Sequence, residues 1–204
     1  YGIKGLNFGD LKKSETGLFV RFPLNISGKL YVNQPFGVYE TRKGRQAVLD
    51  FADLYQGQYG LSLIHMNTPS YHYDKGILSI CLATYVAGRQ NYRYSIYTHK
   101  EDPFEGDAFN TARSVNTPFV VLWPGKGVEE QSQAFSFLTI DKPNIVLSAL
   151  YSDGERTYAR FFERSGKRTI VNLDLPYLKA AEFNQVKLYG EIVKKIQNMN
   201  GEVK

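Results

Sequence analysis

The sequence predicts an all-β protein, an antiparallel β-sandwich carrying one short helix or helical loop. Three observations carry that expectation. Short runs of β-branched and aromatic residues recur with Gly, Asn, Asp or Pro between them, the rhythm of an antiparallel sandwich. The 15 tyrosines and 13 phenylalanines, within an aromatic share of 14%, suit pleated faces, where flat rings pack and keep a polar edge near water. Helical spacing breaks that rhythm clearly in one stretch, after Pro103. At 204 residues the chain is long enough to bury a proper core, and one β-sandwich domain over residues 1–204 is the expected organisation.

Taken in order, Leu18 to Leu24 reads as a strand with Pro23 near its end, where a ladder hydrogen bond can be spared. Asn25 to Gly28 turns the chain. Further strands are predicted over Leu30 to Val32, Gly37 to Tyr39, Ala47 to Leu54, Leu61 to Met66, Ile77 to Tyr85 and Tyr92 to Thr98. From Asp102 to Asn116 the rhythm breaks. After Pro103, the residues Phe104, Ala108, Phe109 and Ala112 fall at three- or four-residue steps and predict the helical segment. A strand follows over Phe119 to Leu122, then a turn at Pro124-Gly125-Lys126-Gly127, and Gln133 to Ile140 opens a final meander. In that meander Ile145 to Leu150 forms one strand, Ser152 to Glu155 a turn, Thr157 to Glu163 the return, Ser165 to Lys167 a second turn, and Arg168 to Leu173 the third run. Val186 to Ile196 mixes helical spacing with strand-forming residues, and both types stay open there.

Charge narrows the function classes. Net charge is +5 and the pI near 9.1, values compatible with an acidic partner. The basic residues are nonetheless scattered through turns (Arg42, Lys43, Arg45, Lys167, Arg168) and the C-terminal segment, with acids nearby, which reads as solvated surface and not a phosphate-tracking stripe. Nucleic acid is therefore not the expected partner. No run approaches the ~20 apolar residues of a helical membrane span, and mean hydropathy is −0.35. Cys81, the single cysteine, sits in an apolar run and reads as a small buried hydrophobe. It is compatible with a reducing compartment, and a cytoplasmic location is the expectation.

The residues also carry a resemblance. Pro143, Asn144, Leu147, Ser148, Ala149 and Leu150, followed by Phe162, Glu163, Ser165 and Gly166, resemble the C-terminal β domain of glycoside hydrolase family 38 α-mannosidases, in which "P-N-apolar-apolar-L-S-A-L" precedes a charged turn and then "aromatic-E-x-S-G". Upstream, Ala47 to Tyr55 with Tyr59 to Ile64 is similar to that family's "strand, D-L, turn, Y-G-hydrophobic" segment, and Tyr71 to Leu82 to its "Y-x-Y-D-x-G-x-L" run. The similarity extends over roughly residues 15–203. It implies a supersandwich of the galactose-mutarotase-like kind. In the family a last "P-F-E-I" strand follows a segment like residues 200–204, so the resemblance implies a fragment of a larger enzyme with its final strand missing. Either that strand belongs to a truncated region, or the edge it would pair with is left open as a place for association, including with a second copy of the chain.

The chemistry is sparse. A retaining glycosidase needs two carboxyl groups about 5 to 5.5 Å apart, and the sequence presents no convincing pair. Glu101, Asp102, Glu105 and Asp107 form the densest cluster, read as solvated or as capping the helix. Asp50 and Asp53 read as turn and edge residues. His65, His72 and His99 are isolated and have no metal-ligand spacing. In the resembled family the nucleophile and the zinc ligands lie ahead of the β domain, and none of those motifs matches here. The resemblance therefore implies no catalytic residue and no cofactor in this chain, with zinc in the missing catalytic domain. It also implies two partners, that N-terminal catalytic domain and mannose-containing glycans. Candidate residues at the rim of the sugar pocket are Asn67, Tyr71, Tyr73, Asp74 and His99. His99 stands where a family strand often ends in "P-H", with Thr98 replacing the proline, and both a structural and a sugar-bonding role are open to it. The competing reading is a free-standing carbohydrate-binding or interaction sandwich that uses exposed tyrosines and Trp123 as platforms. A mutarotase-like isomerase would need a histidine and a carboxylate paired in one cleft.

Overall fold

A computed structural model describes residues 17–66, 70–84, 89–121, 136–176 and 182–196, with backbone alone at 198–199 and 202–203. The chain divides into two compact units, Tyr1–Phe119 and Val120–Lys204.

The first unit holds β1 (Leu18–Pro23), β2 (Lys29–Gln34), β3 (Gly37–Thr41), β4 (Gly44–Ala47), β5 (Phe51–Tyr55), β6 (Gly60–Met66), β7 (Ser70–Asp74), β8 (Ile77–Ala83), β9 (Arg93–His99) and α1 (Ala108–Asn116). They form a five-stranded sheet, β3-β2-β5-β6-β9, and a four-stranded sheet, β1-β8-β7-β4, both antiparallel. Leu30, Val32, Ala52, Leu54 and Leu63 of the first sheet meet Tyr71, Tyr73, Leu78 and Ile80 of the second in one buried cluster, so the expected sandwich is present. The other face of the five-stranded sheet is covered as well. Phe104 packs edge-on against Tyr31, and Phe109 of α1 against Phe51. Strand β5, buried from Phe51 to Leu54, reads as a continuous apolar run broken by Asp53 for that reason. The predicted helical segment is α1, whose Ala108, Phe109 and Ala112 are its buried residues.

Two local expectations change. Ala47 to Leu54 was expected as one strand; the chain instead leaves β4, turns a corner at 48–50 and enters β5 in the other sheet. The Asn33 side chain holds that corner, its Oδ1 accepting from the backbone of Asp50 and Phe51, each at 2.8 Å. The segment Asn67 to Asp74 corresponds to a loop of the resembled family, yet Ser70–Asp74 is β7, because Tyr71 and Tyr73 alternate inward while His72 stays exposed. A two-residue turn with positive φ at Lys75 (47°) and Gly76 (78°) joins β7 to β8, the mirror-image geometry that matches strand twist.

The second unit holds β10 (Thr139–Ile140), β11 (Ile145–Ser152), β12 (Thr157–Glu163), β13 (Leu173–Asp174), β14 (Phe183–Val186), β15 (Ile192–Ile196), β16 (Asn198–Met199) and β17 (Glu202–Val203). The β11–β12 hairpin is as expected, but the three-strand meander is not. After the turn at 164–166 the chain does not pair with β12; β13 joins a separate sheet, β10-β13-β17-β16. The open segment at Val186 to Ile196 lies in the β14–β15 hairpin, reversed at Gly190 with φ 89°. Residues Phe119 to Val121, expected as strand, are exposed and carry no ladder. Asn67, Trp123, the turn at 124–127 and residues 133–135 lie outside the described residues.

Candidate functional site

Strands β5, β6 and β9 are neighbours in register, so Asp53 lies across from Ser62 and Gly60 across from His99. Their side chains meet beneath the segment that leads to α1. Asp53 Oδ2 accepts from Ser62 Oγ and, at 2.6 Å, from His99 Nε2. The other imidazole nitrogen, Nδ1, donates to the Glu101 carbonyl at 2.9 Å. Both ring nitrogens therefore face acceptors, the arrangement that a charged imidazolium satisfies. The ring is stacked between Tyr55 and Tyr97, with centroids 6.1 and 5.5 Å away. Gly60 completes the enclosure, since a Cβ there would lie 2.5 Å from His99 Cε1. Burial opposes the charge on His99, but the hydrogen bond and charge of Asp53 and the Glu101 carbonyl outweigh it and hold the imidazole above its ordinary value.

Serine, histidine and aspartate together suggest a nucleophilic relay, but the connections differ. A relay passes the serine proton to histidine, whose second nitrogen leans on the carboxylate. Here the carboxylate takes both donors and the second nitrogen is spent on main chain. The side chains of His99 and Asp53 are 1% and 0% exposed. The cluster ties three strands and the following loop together and offers no nucleophile to a substrate. Asp53, expected as an edge or turn residue, is instead buried in the middle of the sheet; a polar residue inside an otherwise apolar strand was the sequence signal that it needed a partner.

The other carboxylates near the fold elements are committed similarly. Asp50 accepts from Asn33 Nδ2 at 3.0 Å and from Asn116 Nδ2 at 2.8 Å, which fastens the end of α1 to the β4–β5 corner. Asp102 turns the chain ahead of the helix by accepting from the Phe104 amide at 2.8 Å, and Asp107 at the helix start makes no side-chain cap. In the second unit, Glu163 Oε1 accepts from Asn144 Nδ2 and the Ser165 amide, and Oε2 from the Lys167 amide, each at 2.8 Å. Burial works against its ionised form, but these donors prevail and hold the carboxyl below its ordinary value. Asn144 also reaches Thr169 Oγ1 at 2.7 Å, and Gly166 supplies the positive φ of 72° that the turn requires. The separated motif residues Asn144, Glu163, Ser165 and Gly166 are thus one hydrogen-bonded turn. Among the described residues no group of three His, Cys, Asp or Glu is placed to hold a metal ion.

The expected rim residues disperse. Tyr71 is fully buried and its hydroxyl donates to the Leu63 carbonyl at 2.9 Å. Burial pushes its phenol far above the usual tyrosine range. Asp74 closes the β7–β8 turn, His99 is sealed under the loop, and Asn67 lies outside the described residues. Among the described rim residues Tyr73, 9% exposed, lines a groove. The groove, of about 520 Å³, is lined by Gly28, Lys29, Leu30, Glu40, Thr41, Arg42, Lys43 and Tyr73. Lys29 of β2 and Glu40 of β3 are paired along one wall at 2.8 Å.

No family model and no curated protein sequence matches the chain. Among solved structures it is similar to a protein in glycosyl hydrolase family 38 from Enterococcus faecalis, with a TM-score of 0.65 at 16% identity over 80% of this chain and 22% of that one. A second is an alpha-mannosidase from Enterococcus faecalis V583, with a TM-score of 0.63 at 15% identity over 77% of this chain and 21% of that one. The chain shares its fold with part of these proteins and spans about a fifth of their length. The fold likeness and the motif resemblance point to the same proteins.

Proposed function

We propose that this chain is the non-catalytic C-terminal β domain of a larger retaining α-mannosidase, which hydrolyses terminal α-mannosyl linkages in a separate catalytic domain. The observation that carries the reading is the match over 80% of this chain to only 22% of a family 38 protein. The commitment of Asp50, Asp53 and Glu163 to protein donors supports a scaffold role, since a catalytic carboxylate must face substrate. On this reading zinc and the nucleophile belong to the catalytic domain, and the residues of this chain hold neither. Mannose-containing glycans are partners of the whole enzyme, and this chain supports the rim of its pocket. A reducing, cytoplasmic setting belongs to the same proposal and draws on the lone buried Cys81. The test is an aryl α-mannoside assay with zinc, run on the chain alone and on the longer protein that contains it. Turnover by the longer protein and none by the chain is expected; hydrolysis by the chain alone would overturn the scaffold role.

A further inference from the structure

The groove of the first unit lies where the backbone crosses between sheets. β3 belongs to the five-stranded sheet and β4 to the four-stranded one, so the connection Arg42-Lys43 bridges their edges. Lys29, Leu30, Glu40 and Thr41 enter the groove from one sheet, and Tyr73 from the other. Gly44 is the cross-strand partner of Tyr73, and a Cβ on it would meet nothing within 4 Å. The ladder position opposite the tyrosine therefore carries no side chain, and Tyr73, 9% exposed and packed in the buried cluster, shows the groove only an edge. A bulky residue opposite Tyr73 would instead pack on it, as cross-strand pairs do.

The charges of this groove are unbalanced. Three cations, Lys29, Arg42 and Lys43, line it with one acid, Glu40. Glu40 is already paired with Lys29, and among the described residues Arg42 and Lys43 form no ion pair. Arg42 and Lys43 are exposed, and the Arg42 carbonyl is anchored by Gln46 Nε2 at 3.3 Å. A concavity of about 520 Å³ is of the size that holds small ligands. An aromatic edge, a threonine hydroxyl and an ion pair with both donor and acceptor character suit a polyhydroxylated ring. The two uncompensated cations suit an attached anion, with the arginine fork matched to phosphate or carboxylate.

We propose that this groove is a binding site for a sugar that carries a negative charge, a phosphate or a carboxylate. The sugar lies against Thr41 and the exposed edge of Tyr73, and the anionic group is held by Arg42 and Lys43. The choice of a sugar rests on the glycosidase reading above; the choice of an anion rests on the groove alone. Titration calorimetry of the full chain with a hexose 6-phosphate, a hexuronate, the uncharged hexose and inorganic phosphate tests both. The two charged sugars are expected to bind more tightly than the uncharged hexose and than inorganic phosphate. R42Q and K43Q, both at exposed positions, are expected to weaken the charged sugars roughly tenfold each, the scale of one lost charge-assisted hydrogen bond. E40Q removes the only acid and releases Lys29, and is expected to tighten them. Equal binding of inorganic phosphate would reduce the groove to a cationic patch and overturn the sugar. Binding insensitive to R42Q and K43Q, or weakened by E40Q, would overturn the anion site, as would no binding of any charged sugar. None of these outcomes bears on whether the longer protein hydrolyses an α-mannoside, so the two readings fail separately.

Discussion

The two units use different physics to hold short strands together. In the first, β5 and β6 are buried almost throughout, and even their polar residues, Asp53, Ser62 and His65, have no more than 2% of their surface exposed. Among the described residues of the second, Val146 and Arg164 are buried, while Leu150, Tyr151, Ile192 and Val193 are each at least 42% exposed. Order there is concentrated in turns. Glu163 gathers three donors, Asp141 takes the amide and side chain of Asn172, and Asp153 takes the amides of Glu155 and Arg156. Apolar burial stabilises in proportion to area removed from water. A turn network stabilises less, by about 1 kcal/mol for each net hydrogen bond, but it fixes local conformation. The contrast teaches that a carboxylate in one unit is a buried partner and in the other a turn clamp, although both read as polar breaks in a strand pattern.

The largest effect expected is in the first core. Phe51→Ala removes a fully buried ring that packs on Phe109, and should cost about 3–5 kcal/mol, whereas Leu150→Ala in the exposed hairpin should cost well under half of that. Denaturant titration followed separately in each unit measures both; equal losses would erase the contrast.

Next comes the His99–Asp53 pair. Removing one partner of a buried pair leaves the other uncompensated, so Asp53→Ala should destabilise by about 3–5 kcal/mol. The pH dependence has a definite sign. His99 titrates above its ordinary value of 6.5 when folded, so its contribution is complete below that value and is lost as pH rises through the folded pKa. Wild-type stability should fall over that alkaline-going window, and His99→Gln should flatten the fall. A stability curve that rises there would contradict the charged imidazole.

Glu163 should behave oppositely and more weakly. Its carboxyl is held below the ordinary 4.5, so its contribution is present above that value and disappears as pH falls through the folded pKa. Glu163→Gln keeps one acceptor and should cost about 1 kcal/mol, seen as faster hydrogen exchange at the Ser165 and Lys167 amides with β5 unaffected.

The smallest effect is a gain. Phe36 adopts a φ of 71° in the β2–β3 turn, which glycine tolerates better, so Phe36→Gly should raise stability by about 0.5–1 kcal/mol. A thermal melt resolves that gain, and a loss would mean that the exposed ring contributes more than its backbone strain costs.

Alternation and turn chemistry made most strands of the first unit's two sheets legible, from Leu18 to His99, together with the helix at Ala108 to Asn116 and the hairpin around Asp153 and Gly154. Those features are local: side-chain period, a positive φ and a cap all act within a few residues. What escaped depended on distant partners. Ala47 to Leu54 looks uniform, and distant partners such as Asn33, 17 residues from Asp50, and Asn116 hold its corner between sheets. Ser70 to Asp74 corresponds to a loop in the resembled family, and its strand character follows from Tyr71 and Tyr73 facing the core formed with the other sheet. Asp53 and His99 are 46 residues apart, and nothing in either neighbourhood names the other.

Composition and spacing alone therefore determined an all-β chain and a helical break after Pro103, while the motif residues carried a resemblance to proteins with which the chain shares a fold. The tertiary structure decided which polar residues are consumed and which face solvent. It sealed Tyr71 and His99 inside, made one turn of Asn144 and Glu163, and left Arg42 and Lys43 open at the seam between sheets. The physical reason is that strand period fixes which side a residue faces, whereas partnership between sides is set by sheet order and by the crossing of the chain, and both are long-range.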